Sequence, residues 1–452
     1  MAQVLAVAGF ELEGQAYAKG KVITMSAANA VWLKSRKLVE DDSTIVAAAI
    51  SGGATQIAHY AALPQGFQGI SSSLNEIWSL GDSICANGYA APTSAADVWF
   101  SGDNWLNWAC VLSVGALTWG GVSALGGITS GTCIDKYLPA IIAAKPRFCA
   151  VHVGTNDYGQ TGYATDGSTT RANLLTIYTT LLAAGIIPIA TAFLPKASLT
   201  GASASIQQRL TLWVAKTARR LGIPYCDWSP QLFKSDGTGA WVSAAYSSDG
   251  THMLEPAAKL MGASLLSSIQ PWLTPGVNYF AHVQNNSNLT SHTPCSINAL
   301  NLTDTNADGL ADGWYLNTGS GTPTLTAMSA SEGMGSWQNF TATGAGNYQN
   351  TGSNVAMTPG NKYLLAMKFK TAGVVSSGGQ FTIRLADANS NPIVQLLGLK
   401  ADVTLGALYR EFVWPSAAAT NNARLECLVQ GANAVLSVGQ YMCMDMTANG
   451  LV

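Results

Sequence analysis

The sequence predicts an α/β protein built on a parallel sheet, with a small α+β module before it and an antiparallel β-sandwich after it. Three observations lead there. Between residues 71 and 273 apolar strand-like runs alternate with amphipathic helical patterns, the grammar of a parallel sheet covered by helices. Beyond residue 297 the helical period disappears and short alternating strands take over. At 452 residues the chain is also too long for one ordinary core.

The elements follow in order. In residues 1–70, "GKVITMS" reads as a strand running into a Ser26 cap, "AANAVWLKSRKLVEDD" as a helix and "STIVAAAI" as a second strand. No catalytic spacing occurs there, so an attachment or assembly module is expected. In 71–273 the strand-like runs are "EIWSLG", "RFCAVHVG", "GIIPIATAFL" and "IPYCDW". In "SIQQRLTLWVAKTARRLGIP", Ile206, Leu210, Trp213, Val214 and Leu221 share one helical face. Arg219 and Arg220 occupy its last turn, and Gly222 and Pro224 mark its stop. "STTRANLLTIYTTLLAAGIIP" repeats the pattern and ends at Gly185. Residues 274–296 are Asn/Ser/Thr-rich and aperiodic, a linker by composition. In 297–452, "KYLLAMKFK" places Tyr363, Leu365, Met367 and Phe369 on one face, and "GQFTIRLAD" alternates Phe381, Ile383 and Leu385 with polar residues.

Composition narrows the partners. The net charge is −2 with no basic stripe, which gives no reason to expect nucleic acid or an anionic membrane. Charged residues make up 11% of the chain, against a usual ~25%, so hydroxyls and amides must cover the surface. Such a surface with 13 Trp suits glycan contact; a stable β-rich structural protein has the same composition. The N-terminus lacks a basic start and a long apolar segment, so no secretory signal is expected. The uncharged run 104–133 has the length of a membrane span, but its glycines, serines, Asn104 and Asn107 read as core and loop. Trp105 and Trp108 in it fit one helix face, and Trp99, Phe100 and Trp119 complete an aromatic cluster. Eight scattered cysteines without a CxxC pair read as mostly free, buried thiols.

The chemistry begins at "WSLGDSICANG". An apolar strand ends by presenting Ser83 at the edge where an open parallel sheet binds ligands. A serine is a poor nucleophile unless a base takes its proton and donors meet the oxyanion its attack creates. "HVGTNDYG" ends another apolar strand on the same edge with Gly154, Thr155, Asn156 and Asp157. "SSDGTHML" puts Asp249 three residues before His252, so one turn can hold an imidazole against a carboxylate.

"GDS", "GTND" and "DGTH" in this order resemble the SGNH (GDSL) hydrolase family over roughly 200 residues. The resemblance implies a three-layer α/β/α domain that hydrolyses carboxylic esters. It implies Ser83 as nucleophile, His252 as base and Asp249 as the group orienting it. The oxyanion hole would comprise the Ser83 N–H, the Asn156 side-chain amide and the N–H of a glycine in "SALGGITSG". Gly127 is the best match for that glycine, with Gly131 the alternative. Two departures are Ile84 for the common leucine and Met253 for the proline that often follows the histidine. His152 reads as a strand histidine rather than a second base, and His59, His282 and His292 have no catalytic context.

In "DTNADGLADGW", Asp304, Asn306, Asp308 and Asp312, with the Leu310 carbonyl, have the oxygen-ligand spacing of a calcium loop, without the glutamate of an EF-hand. A structural calcium is expected there in preference to a metal-free Asx turn; no cofactor is expected for catalysis. The C-terminal unit loosely resembles jelly-roll carbohydrate-binding modules. Together these features lead us to expect a bacteriophage virion protein of the tail or baseplate. It would remove O-acetyl groups from a bacterial surface polysaccharide or another acylated glycan. The N-terminal module would contact other virion proteins, and a homo-oligomer is compatible with that role. The alternatives are a catalytically idle virion structural or receptor-binding protein and a lipid or thioester hydrolase.

Overall fold

The computed structural model describes residues 75–88, residues 97–274 apart from 159, 197–200 and 237, and residues 300–450 apart from 351–354 and 417. Of the N-terminal part it describes 2–6, 10–12, 15–17, 22–25 and 39–40. The expectations for "STIVAAAI", for the linker beyond residue 274, and for His59, His282 and His292 lie outside the described residues.

The N-terminal strands are β1 (Ala2–Ala6), β2 (Phe10–Leu12), β3 (Gln15–Tyr17), β4 (Val22–Met25) and β5 (Val39–Glu40). β1 lies between β4 and β5, antiparallel to both, and β2 and β3 form a hairpin. β4 falls within the strand expected at "GKVITMS". The helix expected across 27–42 is corrected at its end: Val39 pairs with Ala6 and Glu40 with Leu5. Pairing with a distant strand overrides a local helical pattern there.

The chain divides into two compact units that interleave along the sequence. The first comprises Met1–Ala86, Gly120–His252 and Ser267–Thr274; the second comprises Asn87–Trp119, Met253–Leu266 and Pro275–Val452.

The first unit is organised on a five-stranded sheet. Its strands are β6 (Glu76–Gly81), β8 (Thr118–Ala124), β9 (Phe148–His152), β10 (Ile187–Thr191) and β11 (Tyr225–Cys226). The spatial order is β11-β10-β9-β6-β8, with β6, β9, β10 and β11 parallel. The helices are α1 (Ser83–Ala86), α3 (Ser130–Lys136), α4 (Leu138–Ala144), α5 (Ser168–Ala183), α6 (Gly201–Leu221) and α7 (Ser229–Leu232). Helix α2 (Trp105–Leu112) belongs to the second unit.

One continuous core joins Leu80, Cys149 and Val151 of the strands to Ile141 of α4, Ile177 and Leu181 of α5, and Leu210 and Val214 of α6. The α6 stripe seen in the sequence is therefore the buried face. Both long helices stop as their glycines indicate: Gly185 and Gly222 have positive φ (84° and 64°), and Ile186 and Ile223 donate back to Leu181 and Ala218.

The second unit carries β7 (Asp97–Phe100), α2, most of α8 (Glu255–Ile269) and the C-terminal strands. These are β12 (Tyr315–Ala327), β13 (Ser336–Asn350), β14 (Val355–Ala356), β15 (Lys362–Ala372) and β16 (Gln380–Asp387), then β17 (Pro392–Leu399), β18 (Val403–Val413), β19 (Asn422–Gln430) and β20 (Val435–Asp445). A one-turn helix, α9 (Val374–Ser377), follows β15. β13 pairs with β20 along Gln338–Thr341 and with β19 along Asn347–Asn350, so one long strand serves both halves of the sheet system. All pairs among the C-terminal strands are antiparallel. The parallel α/β class with an antiparallel β region, expected from the sequence, is what the structure has.

Trp105 and Trp108 of α2 are fully buried, as their spacing suggested, and Trp119 is buried too. Seven of the cysteines are free, buried thiols; Cys295 lies outside the described residues. Among the described residues no helix is long and apolar enough to cross a membrane.

The boundary expected near residue 273 cuts through the second unit. β7 pairs with β17 in parallel, the Lys400 N–H donates to Glu255 Oε1 (2.7 Å), and Lys259 Nζ donates to the Asp402 carbonyl. Arg410 donates to the Trp119 carbonyl (3.1 Å) with its guanidinium 4.1 Å from that ring's centre. A chain ending at residue 273 removes every one of these partners. It is expected to melt at a lower temperature than the full chain and to expose Trp105 and Trp108. Circular dichroism melting and tryptophan emission of the two chains measure this; equal stability would show that 71–273 is self-sufficient.

Candidate active site

The strand order decides where a ligand can sit. The chain leaves β6, forms β8 on one side of it, then crosses to form β9 on the other side. In open α/β sheets ligands bind at such a reversal, and Ser83 stands there, just past the carboxyl end of β6. The turn is tight. A Cβ on Gly81 would overlap the His152 carbonyl and lie 2.7 Å from Cys85 Sγ, so only glycine fits. The Asp82 N–H donates to the His152 carbonyl (3.2 Å), which fixes the turn to β9. Asp82 Oδ1 accepts from the Ile84 N–H (3.0 Å) and its carbonyl from the Ala86 N–H (3.1 Å), so it caps α1. Ile84 and Cys85 are fully buried, which leaves Ser83 half-exposed at the first helical position.

The loop after β9 carries Asn156, whose Nδ2 donates to the Ile128 carbonyl (3.0 Å). This brings Asn156 against the 126–128 loop, and a Cβ on Gly126 would lie 3.8 Å from that of Ser83. Gly127 has φ +79° and open space around it. Gly131 donates its N–H to Tyr163 Oη (2.9 Å) within α3, so the geometry favours Gly127 as the exposed donor. Ser83, Gly127 and Asn156 thus border one space.

Asp157 holds that loop in place. Its Oδ1 accepts from the Ser130 N–H (2.9 Å), and its Oδ2 accepts from Ser130 Oγ (2.6 Å) and Thr170 Oγ1 (2.8 Å). One buried carboxylate therefore ties the β9 loop to the starts of α3 and α5. Sequence reading assigned Asp157 no role; its place directly after Asn156 was the available signal.

His252 and Asp249 form a dyad on the loop before α8. Nδ1 of His252 lies 2.6 Å from Asp249 Oδ2. Asp249 Oδ1 accepts from the N–H groups of Thr251 and His252, both at 2.8 Å, and from Ser247 Oγ. An ionised carboxylate only accepts, so Nδ1 carries the proton and Nε2 presents a lone pair. Burial works to raise the Asp249 pKa, but the His252 side chain and the two N–H donors outweigh it and hold it far below the usual range. No hydrogen bond joins Ser83 Oγ to His252 among the described residues; such contacts are often long in a substrate-free site. Beyond the dyad, Asn87 Nδ2 donates to the Met253 carbonyl (2.9 Å), anchoring the residue after His252.

His152 is not a second base. The single hydroxyl proton of Thr191 goes to the Val151 carbonyl (2.8 Å), so Thr191 accepts from His152 Nδ1 (2.9 Å). Burial among apolar rings pushes the His152 pKa down to about 3 and keeps it neutral.

The loop 304–312 arranges its carboxylates around backbone donors. Asp304 accepts from the Asp308 and Gly309 N–H groups, Asp308 from that of Leu310, and Asp312 from the Thr305 N–H and hydroxyl. Among the described residues no group of three or more His, Cys, Asp or Glu converges as a metal site. The expectation of a calcium ion rests on the spacing of these residues alone.

A parallel α/β domain with a strand-end serine, an amide-bearing loop beside it and a His–Asp dyad defines a hydrolase-type site. Residues 79–258 match the model of the GDSL-like Lipase/Acylhydrolase family. Solved structures are similar to the chain over less than half of its length. One is a GDSL-like lipase from Bacteroides thetaiotaomicron (19% identity, 49% of this chain and 100% of that one, TM-score 0.35). Another is a lipase/acylhydrolase from Enterococcus faecalis (18%, 45% and 98%, TM-score 0.35). No relative is found among curated proteins.

Asp82 leads to a prediction. Burial raises its pKa from 3.8 to about 6 against the hydrogen bonds from Ile84 and Thr155, with the Asp157 charge adding to the rise. A carboxyl whose folded pKa is raised binds its proton more tightly in the native state, so stability is lost as pH rises from about 4 to 6. Asp82→Asn keeps the Ile84 acceptor and removes the ionisation. It is expected to raise stability at pH 7 by at most roughly 3 kcal/mol and to flatten the pH dependence across that window. Urea unfolding at pH 4.5 and 7 measures the difference.

Proposed function

We propose that this protein is a serine esterase that removes O-acetyl groups from a bacterial surface polysaccharide. The observation that carries the esterase reading is the 2.6 Å His252–Asp249 contact at Nδ1, which leaves Nε2 as an available base in a domain that presents Ser83 at a strand end. Ser83 Oγ attacks the ester carbonyl and His252 Nε2 takes its proton. The oxyanion accepts from the Ser83 N–H, the Gly127 N–H and the Asn156 N–H that Ile128 does not occupy. His252 then protonates the leaving alcohol, and a water activated by the same nitrogen hydrolyses the acyl-enzyme.

The neutral, hydroxyl- and amide-rich composition supports a glycan as the alcohol side. The modular arrangement of an N-terminal β module, a hydrolase domain and an antiparallel β region supports a phage virion protein acting at the host surface. In that reading residues 1–70 contact other virion proteins and the C-terminal strands contact the polymer.

Ser83→Ala is expected to abolish hydrolysis of an aryl acetate with the melting temperature unchanged. Asn156→Ala is expected to lower kcat by on the order of 10²–10³. Asp249→Asn is expected to lower kcat more than it raises KM, because the imidazole loses its orientation. Asp249, held ionised far below the usual carboxylate range, is expected to add no limb of its own to the pH–rate profile of the wild type above about pH 4. Steady-state kinetics checks each outcome, and mass spectrometry of O-acetylated polysaccharides before and after treatment identifies the substrate. Wild-type-like turnover by Ser83→Ala would overturn the reading.

A further inference from the structure

The first unit contains a cavity of ≈ 450 Å³ between α6, α7 and the loops that follow β10 and β11. Leu212 and Phe233 supply carbon surface, Gln208 an amide, and Lys196 and Lys234 two ammonium groups. Leu212 is 65% exposed, a large apolar side chain left uncovered. None of these residues takes part in the chemistry described above.

Two facts connect the cavity to the active site. It lies at the carboxyl ends of β10 and β11, on the sheet edge that presents Ser83 and Asn156. Lys196 Nζ also donates to the carbonyl of Thr155, the residue before Asn156 (3.2 Å). β10 stands two strands from β6 in the same sheet.

The lining bears on the occupant. Its walls are largely carbon, with amide, hydroxyl and ammonium ends of Gln208, Thr211, Thr238, Lys196 and Lys234 among them. Carbon floor with a polar rim suits the two faces of a sugar ring. Among the described residues neither lysine is in an ion pair. Asp236 offsets part of the Lys234 charge but is itself engaged by the Thr238 N–H and hydroxyl. In a chain with 11% charged residues, two lysines on one cavity select an anion.

We propose that this cavity is a subsite for a carboxylate-bearing sugar, the neighbour of the ester-bearing unit in an acidic polysaccharide. Its binding function stands by itself; its use in substrate choice rests on the esterase reading. Lys196 and Lys234 would meet the carboxylate, and Phe233 and Leu212 the C–H face of the ring.

The test measures binding rather than turnover, by calorimetric titration of the full chain with trigalacturonic acid and with maltotriose as the neutral probe. The acidic trisaccharide is expected to bind at least tenfold more tightly, and to weaken as salt is raised. Lys234→Glu and Lys196→Met should each reduce its affinity at least tenfold. Leu212→Trp, a change at an exposed position that leaves folding untroubled, should block it by filling the cavity. Equal affinity for the two trisaccharides, no binding of either, or unchanged affinity in Lys234→Glu and Leu212→Trp would overturn the proposal. Aryl acetate turnover by the wild type, measured alongside, separates the two readings. Absent turnover with intact acidic-sugar binding removes only the esterase, and intact turnover without binding removes only the subsite.

Discussion

The site depends on the approach of β6 to β9 at Gly81. The carbonyl of His152 sits where a Gly81 side chain would have to go, and the same carbonyl accepts the Asp82 N–H. That contact sets where the sharp turn into α1 begins, and so where Ser83 points. It also fixes the end of β9, four residues before Asn156. Ser83 and the start of the Asn156 loop are therefore both tied to one backbone contact at the topological switch point.

Three aspartates near this point behave differently because their surroundings differ. Asp82 is fully buried with few donors, and its proton is held to about pH 6. Asp157 is as deeply buried, yet it accepts from an N–H and two hydroxyls and serves as a structural tie. Asp249 is exposed, faces the His252 imidazole and two N–H donors, and stays ionised. Donor count and solvent access sort one residue type into a cap, a clamp and an orienting group.

The chain passes from one unit to the other directly after His252. His252 closes one segment of the first unit, and Met253 opens a segment of the second. Asn87 reaches the Met253 carbonyl from a neighbouring segment, and Glu255 and Lys259 are bonded to residues beyond 399. The turn between β17 and β18 is thus bonded to the stretch that follows His252.

Much of this was legible in the sequence. The strand ends at "GDS" and "GTND", the "DGTH" turn before α8, the apolar stripe of α6 and the glycine stops of α5 and α6 are local patterns, and local patterns survive in the fold. The Asp249–His252 pair was legible because three residues span one turn. What the sequence could not determine was anything that depends on distant pairing. Val39 and Glu40 carry a helical pattern and become a strand only because β1 offers an edge. The choice between Gly127 and Gly131 turned on Tyr163, thirty-two positions from Gly131. The bond from Asn87 to Met253 spans 166 positions and leaves no periodic trace. Spacing along a chain encodes which residues share a turn or a face; which turns meet is decided by packing and hydrogen bonding across the whole fold.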